Sequence, residues 1–207
     1  MKTTEELLKL FAGNSYPNPM QNEKYLLATD AHALIAIPKT EVVEFEHFTK
    51  SDSLIYNAHT VDVTIPVAAI KNVLDKIQWV DEYSEAVYGD ECEACKGEGS
   101  VEYKFEFDYT TYLDDGDCPI CEGDGKKLLV PAKKTGNKIP DYGQYIKMPN
   151  SVIDAILLYK LYLACEGLES IKMVRGSHNG EDMLFLVDDT IVLIMPTTSD
   201  ATFKLEL

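Results

Sequence analysis

The stretch Lys24-Tyr-Leu-Leu-Ala-Thr-Asp-Ala-His-Ala-Leu-Ile-Ala-Ile-Pro38 holds two apolar runs separated by the break Thr29 to His32. Short apolar runs flanking a turn-forming residue read as a β-hairpin, here with its turn near Asp30. Upstream, Thr4-Glu-Glu-Leu-Leu-Lys-Leu-Phe11 has a Thr cap, acids in its first turn and apolar residues at helical spacing, and stops at Gly13. These features predict a short helix, with residues 14 to 21, which contain Pro17 and Pro19, as a loop.

Downstream, residues 41 to 48 and the alternating Val61-Asp-Val-Thr-Ile65 are strand candidates. Pro66 then opens a helix to Ile77 whose apolar positions 67, 70, 73, 74 and 77 trace one face. Val101-Glu-Tyr-Lys-Phe-Glu-Phe-Asp-Tyr109 alternates most cleanly, with aromatic residues on one face and charges on the other. That face is too small to be buried by its own hairpin, so it packs on the main domain or on a partner. Residues 142 to 148 predict a strand, and Pro149-Asn-Ser151 introduces an apolar helix, Val152 to Ala164. Three strands follow, Ser170 to Arg175, Asp182 to Val187 and Thr190 to Met195, with a tight turn at Asp188-Asp189 and a tail, Ala201 to Leu207, free to pair on an edge. The order of elements predicts an α+β fold with mostly antiparallel pairing.

Two copies of one motif interrupt this pattern: Cys92-Glu-Ala-Cys95-Lys-Gly97-Glu-Gly99 and Cys118-Pro-Ile-Cys121-Glu-Gly123-Asp-Gly125. Each C-x-x-C pair can offer two thiolates to one ion, and the glycines let the backbone wrap the sulfurs without a Cβ clash. The expected site is one structural Zn2+ held by Cys92, Cys95, Cys118 and Cys121. Four thiolates leave no position for water or substrate, so the ion would support structure and do no chemistry. A disulfide pattern fits poorly, because five cysteines leave Cys165 over and the N-terminus has no apolar signal core. Cys165 lies in an apolar helical stretch with no base nearby in sequence and reads as a buried, inert thiol.

The net charge is −16, and it is concentrated. Residues 81 to 124 hold 15 of the 35 acids and only Lys96 and Lys104 as bases. Directly after them come Lys126, Lys127, Lys133, Lys134, Lys138 and Lys147 against one acid, Asp141. Two readings fit this run: a solvated Pro- and Gly-bearing loop, or a patch in which Lys126, Lys127, Lys133, Lys134 and Lys138 contact phosphates. The single Arg, Arg175, argues against base-specific readout by guanidinium pairs. No apolar run approaches the roughly 20 residues that span a bilayer, which predicts a soluble, cytoplasmic protein with no membrane partner.

No catalytic residues are expected. The histidines, His32, His47, His59 and His178, show no metal spacing, and Asp30 with His32 at a hairpin turn suits backbone capping. Gly176-Ser-His-Asn-Gly180 lacks the G-x-S-x-G elbow around Ser177, and Lys134-Thr135-Gly136 has the wrong order for a phosphate-binding loop.

The cysteine motifs resemble the C-x-x-C-x-G-x-G repeats of the DnaJ cysteine-rich domain over residues 92 to 125. Two repeats stand where that family has four, which implies one zinc site, and no His-Pro-Asp signature of a J-domain is present. The remainder resembles the bacterial DNA polymerase III beta sliding clamp. Tyr25 to Ala36 is similar to the clamp hairpin whose turn reads Ala-Thr-Asp-Gly-His-Arg-Leu, with Ala31 in place of the Gly and Ala33 in place of the Arg. Thr64-Ile-Pro-Val-Ala-Ala-Ile-Lys-Asn-Val-Leu74 resembles the clamp's Pro-led helix, and Ile191-Val-Leu-Ile-Met-Pro196 its C-terminal Met-Pro strand. Together these imply a discontinuous clamp-like domain of helices and antiparallel sheet, residues 1–89 and 126–207, with a zinc-bound β-hairpin inserted at 90–125. They also imply a non-enzymatic binding protein, either a replication or repair accessory on DNA without sequence preference, or a protein-interaction or chaperone-like module. A chain this short needs self-association or a related partner to form a ring.

Overall fold

The computed structural model describes residues 2–40, 45–48, 55, 61–84, 86–176 and 182–207. Two compact units emerge: Met1–Val80 with Ile139–Leu207, and Asp81–Lys138. The first is built on an eight-stranded sheet. Its strands are β1 (Met20–Gln21), β2 (Tyr25–Thr29), β3 (Ala33–Pro38), β4 (Glu46–His47), β5 (Val63–Pro66), β14 (Ser170–Arg175), β15 (Met183–Val187) and β16 (Thr190–Ile194). They lie in the order β4-β1-β2-β3-β16-β15-β14-β5. All neighbours are antiparallel except β1 and β4, which run parallel. Helices α1 (Thr4–Phe11), α2 (Val67–Leu74) and α3 (Ala155–Cys165) complete the core, and a small sheet joins β12 (Tyr145–Lys147) to β13 (Val152–Asp154) and β17 (Phe203–Lys204).

The register explains the burial. One row of cross-strand partners, Ala28, Ile35, Val192, Phe185, Met173 and Val63, runs across five strand junctions on one face. The helices pack on it through Leu8, Phe11, Ile70, Val73, Leu158 and Leu161. The opposite row reads Met20, Leu27, Ala36, Ile191, Leu186, Lys172 and Thr64. It begins apolar and forms a second buried cluster around Leu27, then turns polar. Strands β2 and β3 are therefore covered on both faces, which is why their sequence is nearly continuous in apolar residues and does not alternate.

The helices obey the same logic. Thr3 and Glu6 form a capping box on α1. Helix α2 buries Val67, Ile70, Val73 and Leu74, one stripe along its length. Asp154 caps α3 by accepting from Ile156 N–H at 2.7 Å. That cap corrects the expected start of the helix at Val152: Val152 and Ile153 belong to β13, paired with β12. Helix α2 likewise stops at Leu74, short of Ile77. Within the expected loop 14 to 21, Met20 and Gln21 pair with β2 as β1. Of the strand expected at 41 to 48, only Glu46–His47 is seen, residues 41–44 lying outside the described set. The α+β balance shifts accordingly: the fold is mostly β, with three helices and 17 strands among the described residues.

The second unit is almost wholly extended. Strands β6 (Trp79–Tyr83) and β11 (Lys134–Pro140) pair as a two-stranded ladder. Next, β7 (Val87–Glu91) pairs with β10 (Lys126–Val130), and β8 (Ser100–Phe107) pairs with β9 (Thr110–Asp117). Asp108 and Tyr109 make the two-residue turn of that hairpin with φ of 46° and 58°. Positive φ at both positions is the type I′ geometry that matches strand twist. No helix among the described residues is long and apolar enough to cross a membrane.

Candidate metal centre

Between β7 and β8 the chain folds into one cysteine knuckle, and between β9 and β10 into the other. In each, the residue after the second cysteine (Lys96, Glu122) and the glycines (Gly97, Gly99, Gly123, Gly125) take φ from 53° to 93°. The glycines are required for a second reason. A Cβ on Gly99 would lie 2.3 Å from the carbonyl oxygen of Gly123, and one on Gly125 would lie 2.4 Å from that of Gly97. The two knuckles thus interlock about a local twofold relation. Cys92 N–H donates to Gly125 O and Cys118 N–H to Gly99 O, each at 2.8 Å.

The four sulfurs converge. All Sγ atoms lie within 4.8 Å of one another, with Cys92 to Cys118 at 3.9 Å and Cys95 to Cys121 at 3.6 Å. A zinc–thiolate tetrahedron with bonds of about 2.3 Å has sulfur–sulfur edges of about 3.8 Å, so the set fits a tetrahedral ion. The spacing is too long for disulfides, and all five cysteines are free thiols. Gly99 N–H and Gly125 N–H donate to Cys95 and Cys121 Sγ, each at 3.3 Å, placing positive dipoles on sulfurs that carry charge once bound. Backbone N–H groups of Ile120 and Cys121 lower the Cys118 thiol, while burial raises that of Cys121. Metal binding displaces the protons that remain. Val101 is the one apolar side chain packed against the cluster among the described residues.

Four of the five lysines expected to meet phosphate sit on strands. Lys126 and Lys127 belong to β10, Lys134 and Lys138 to β11, and Lys133 lies just before β11, so the loop reading of the run is corrected to two ladders. All five are exposed. Lys126 stands opposite Glu91, and Lys134 pairs with Asp81 and lies over the Tyr83 ring at 6.0 Å. The strands went unread because their positions are exposed and give no apolar alternation.

At the β2–β3 turn, Asp30 is fully used by structure. One carboxylate oxygen accepts from His32 and Ala33 N–H, and the other pairs with Lys160 of α3 at 2.6 Å. Burial opposes charge on Asp30, but Lys160 and the two N–H groups outweigh it and lower its pKa. His32 is exposed beside the turn, and His47 is exposed in β4. His59, Ser177 and His178 lie outside the described residues. Cys165 is fully buried, its thiol pushed up to about 12 by burial, with Sγ 3.4 Å from Tyr162 O.

One pocket in the first unit was not legible in the sequence. It has a volume of about 380 Å³ and is lined by Thr29, His32, Leu34, Phe48, Leu193 and Met195. Met195, half-exposed at the end of β16 where its N–H donates to His32 O at 2.8 Å, is the residue that could have signalled it.

No protein-family model matches the chain, and no curated protein matches it. Solved structures do. The DNA polymerase sliding clamp from Bacillus subtilis matches with 12% identity over 94% of this chain and 63% of that one, at a TM-score of 0.40. The sliding clamp from Bartonella birtlesii bound to griselimycin matches with 8% identity over 88% of this chain and 57% of that one, also at 0.40. The Helicobacter pylori beta clamp bound to DNA ligase peptide matches with 12% identity over 94% and 43%, at 0.33. The chain therefore spans less than two thirds of the length of each of these clamps.

Proposed function

We propose that this chain is a non-enzymatic, clamp-like binding protein of DNA replication or repair whose cysteine knuckles hold one structural zinc ion. The observation that carries the reading is where the clamp-like sequence segments lie. Tyr25 to Ala36 supplies the β2–β3 hairpin, Ile191 to Pro196 supplies β16, and β16 pairs with β3 from Ile191↔Ala36 to Ile194↔Ala33. Thr64 to Leu74 supplies β5 and α2, with β5 at the far edge of the same sheet. Segments more than a hundred residues apart thus share one architecture, as consistency between sequence and fold demands.

The donor set supports zinc: four buried thiolates at tetrahedral spacing suit zinc better than harder cations, and a closed shell would leave it structural. DNA would be held through Lys126, Lys127, Lys133, Lys134 and Lys138 by phosphate contacts without sequence preference. Native mass spectrometry across concentrations, followed by duplex binding at several salt concentrations, tests this. The expected result is a closed oligomer with one zinc per chain and an affinity whose log–log salt slope is no steeper than about −4.5 for each chain in contact with the duplex, the limit for five lysines. A persistent monomer indifferent to duplex DNA overturns it.

The pocket at Met195 favours a second reading, in which the partner is a protein. It is concave, apolar and edged by Thr29 and His32, suited to the side chains of a short peptide. Under this reading Met195→Lys abolishes partner binding and leaves the zinc count unchanged.

A further inference from the structure

We propose that the aromatic face of the β8–β9 hairpin docks an extended, cationic segment of a partner protein. The register defines the face. Val101, Tyr103, Phe105 and Phe107 stand opposite Gly116, Asp114, Tyr112 and Thr110, so four aromatic rings share one side of the ladder. All four are exposed, Phe105 at 63% and Phe107 at 66%. Their arrangement is ordered: Phe105 and Phe107 stack with centroids 6.5 Å apart and planes 7° from parallel, and Tyr112 lies 6.4 Å from Phe105. Tyr103 anchors the base of the row. Its ring lies where a Cβ on Gly116 would sit, and its hydroxyl donates to Asp117 O at 2.8 Å. A contiguous apolar surface of this kind on a soluble chain marks an interaction site.

Charge selects the occupant. The face carries Asp114 and no basic residue. The reverse face holds Glu102, Glu106, Asp115 and Asp117, so the hairpin as a whole is acidic. Lys104, the one cation on the hairpin, lies on that reverse face and is paired with Glu106 at 2.6 Å. An Arg or Lys laid over the rings gains cation–π attraction, and the surrounding field draws it in. Aromatic platforms that bind single-stranded nucleic acid pair their rings with a basic groove, and this face has the opposite sign. The proposal concerns a different surface from the lysine strands and the Met195 pocket, and it stands whether or not the clamp-like reading does.

The test uses the zinc-loaded full chain and three fluorescent probes: a peptide alternating Arg and Leu, its counterpart with Glu for Arg, and an oligothymidylate. The Arg–Leu peptide binds and the other two do not. A polybasic peptide would also adhere to any acidic protein, so the deciding variant keeps the charge: Phe105→Ser with Phe107→Ser weakens the peptide about tenfold with an unchanged zinc count. Leu113→Ser, on the reverse face, leaves binding as it was. If the double variant sheds metal, Phe107→Ser alone, next to the turn and farthest from the cysteines, decides the matter. Undiminished peptide binding by the Phe variant, preference for the oligothymidylate, or no peptide binding by the native chain overturns the proposal.

Discussion

Residues 1–80 with 139–207 bury Phe11, Leu27, Ile35, Leu158 and Phe185 to full exclusion of water, in clusters on both faces of one sheet. Residues 81–138, among those described, bury only the four cysteines and two of their glycines, Gly99 and Gly125. The first unit is held by apolar burial at roughly 25 cal/mol per Å², spread over many side chains. The second has no such reservoir, and two-stranded ladders alone are marginal in water. Under the zinc reading proposed above, its order rests on the one ion that the four thiolates can hold. The same polypeptide thus uses a distributed source of stability in one region and a concentrated source in the other.

The largest expected effect tests that division. Structural zinc contributes about 10–16 kcal/mol in small thiolate domains, so chelation or Cys95→Ser should remove hydrogen-exchange protection from β7 to β10. Protection in β2, β3, β15 and β16 should persist. Simultaneous collapse of both regions, or survival of β7 to β10 without metal, breaks the comparison. The converse variant is Phe185→Ala, in the middle of the cross-sheet row and fully buried. It should cost about 3–5 kcal/mol in denaturant unfolding of the first unit, with zinc stoichiometry intact.

The same division governs what could be read from sequence. The cysteine pattern is legible because ligand chemistry fixes residue type, spacing and the flanking glycines together. The hairpin at Asp30 and the strands at 170–175 and 190–194 are legible because burial imposes composition. Strands β7, β10 and β11 are exposed along most of their length, so nothing about water exclusion constrains their residues. Asp154 hid the start of α3, since an apolar run continues on both sides of the cap and periodicity passes through it. The Met195 pocket joins residues from elements distant in the chain and leaves no local pattern.

Acid separates the two regions by a different chemistry. Protons compete with metal for thiolates, so zinc should be released in mild acid. The first unit contains the Asp30–Lys160 pair, whose side chains are only 19% and 14% exposed. Asp30 has a folded pKa below its ordinary value of 3.8, so its contribution is present above that value and is lost as pH falls through the lower folded one. Lys160→Met should cost about 1–3 kcal/mol at neutral pH, and the difference from the native chain should vanish in strong acid. Tyrosine fluorescence and a zinc-release dye followed in one titration should report metal loss at the higher pH. Coincident transitions would mean that the two regions are not independently held.

The smallest effect lies at the turn that Asp30 caps. Ala31 has φ of 74°, a conformation in which its Cβ crowds the backbone. The left-handed conformation costs a non-glycine residue about 1–2 kcal/mol, while glycine's freer unfolded chain offsets roughly 0.4–1 kcal/mol of that. Ala31→Gly should therefore stabilise the first unit by about 0.5–1 kcal/mol in urea unfolding and leave zinc retention by the second unchanged. The turn is tied down by Thr29, Asp30 and Lys160, so the strain is sustained by contacts that would survive the substitution. A loss of stability on making Ala31→Gly would instead mean that the Ala31 methyl, which lines the pocket above the turn, contributes packing that outweighs its own backbone strain.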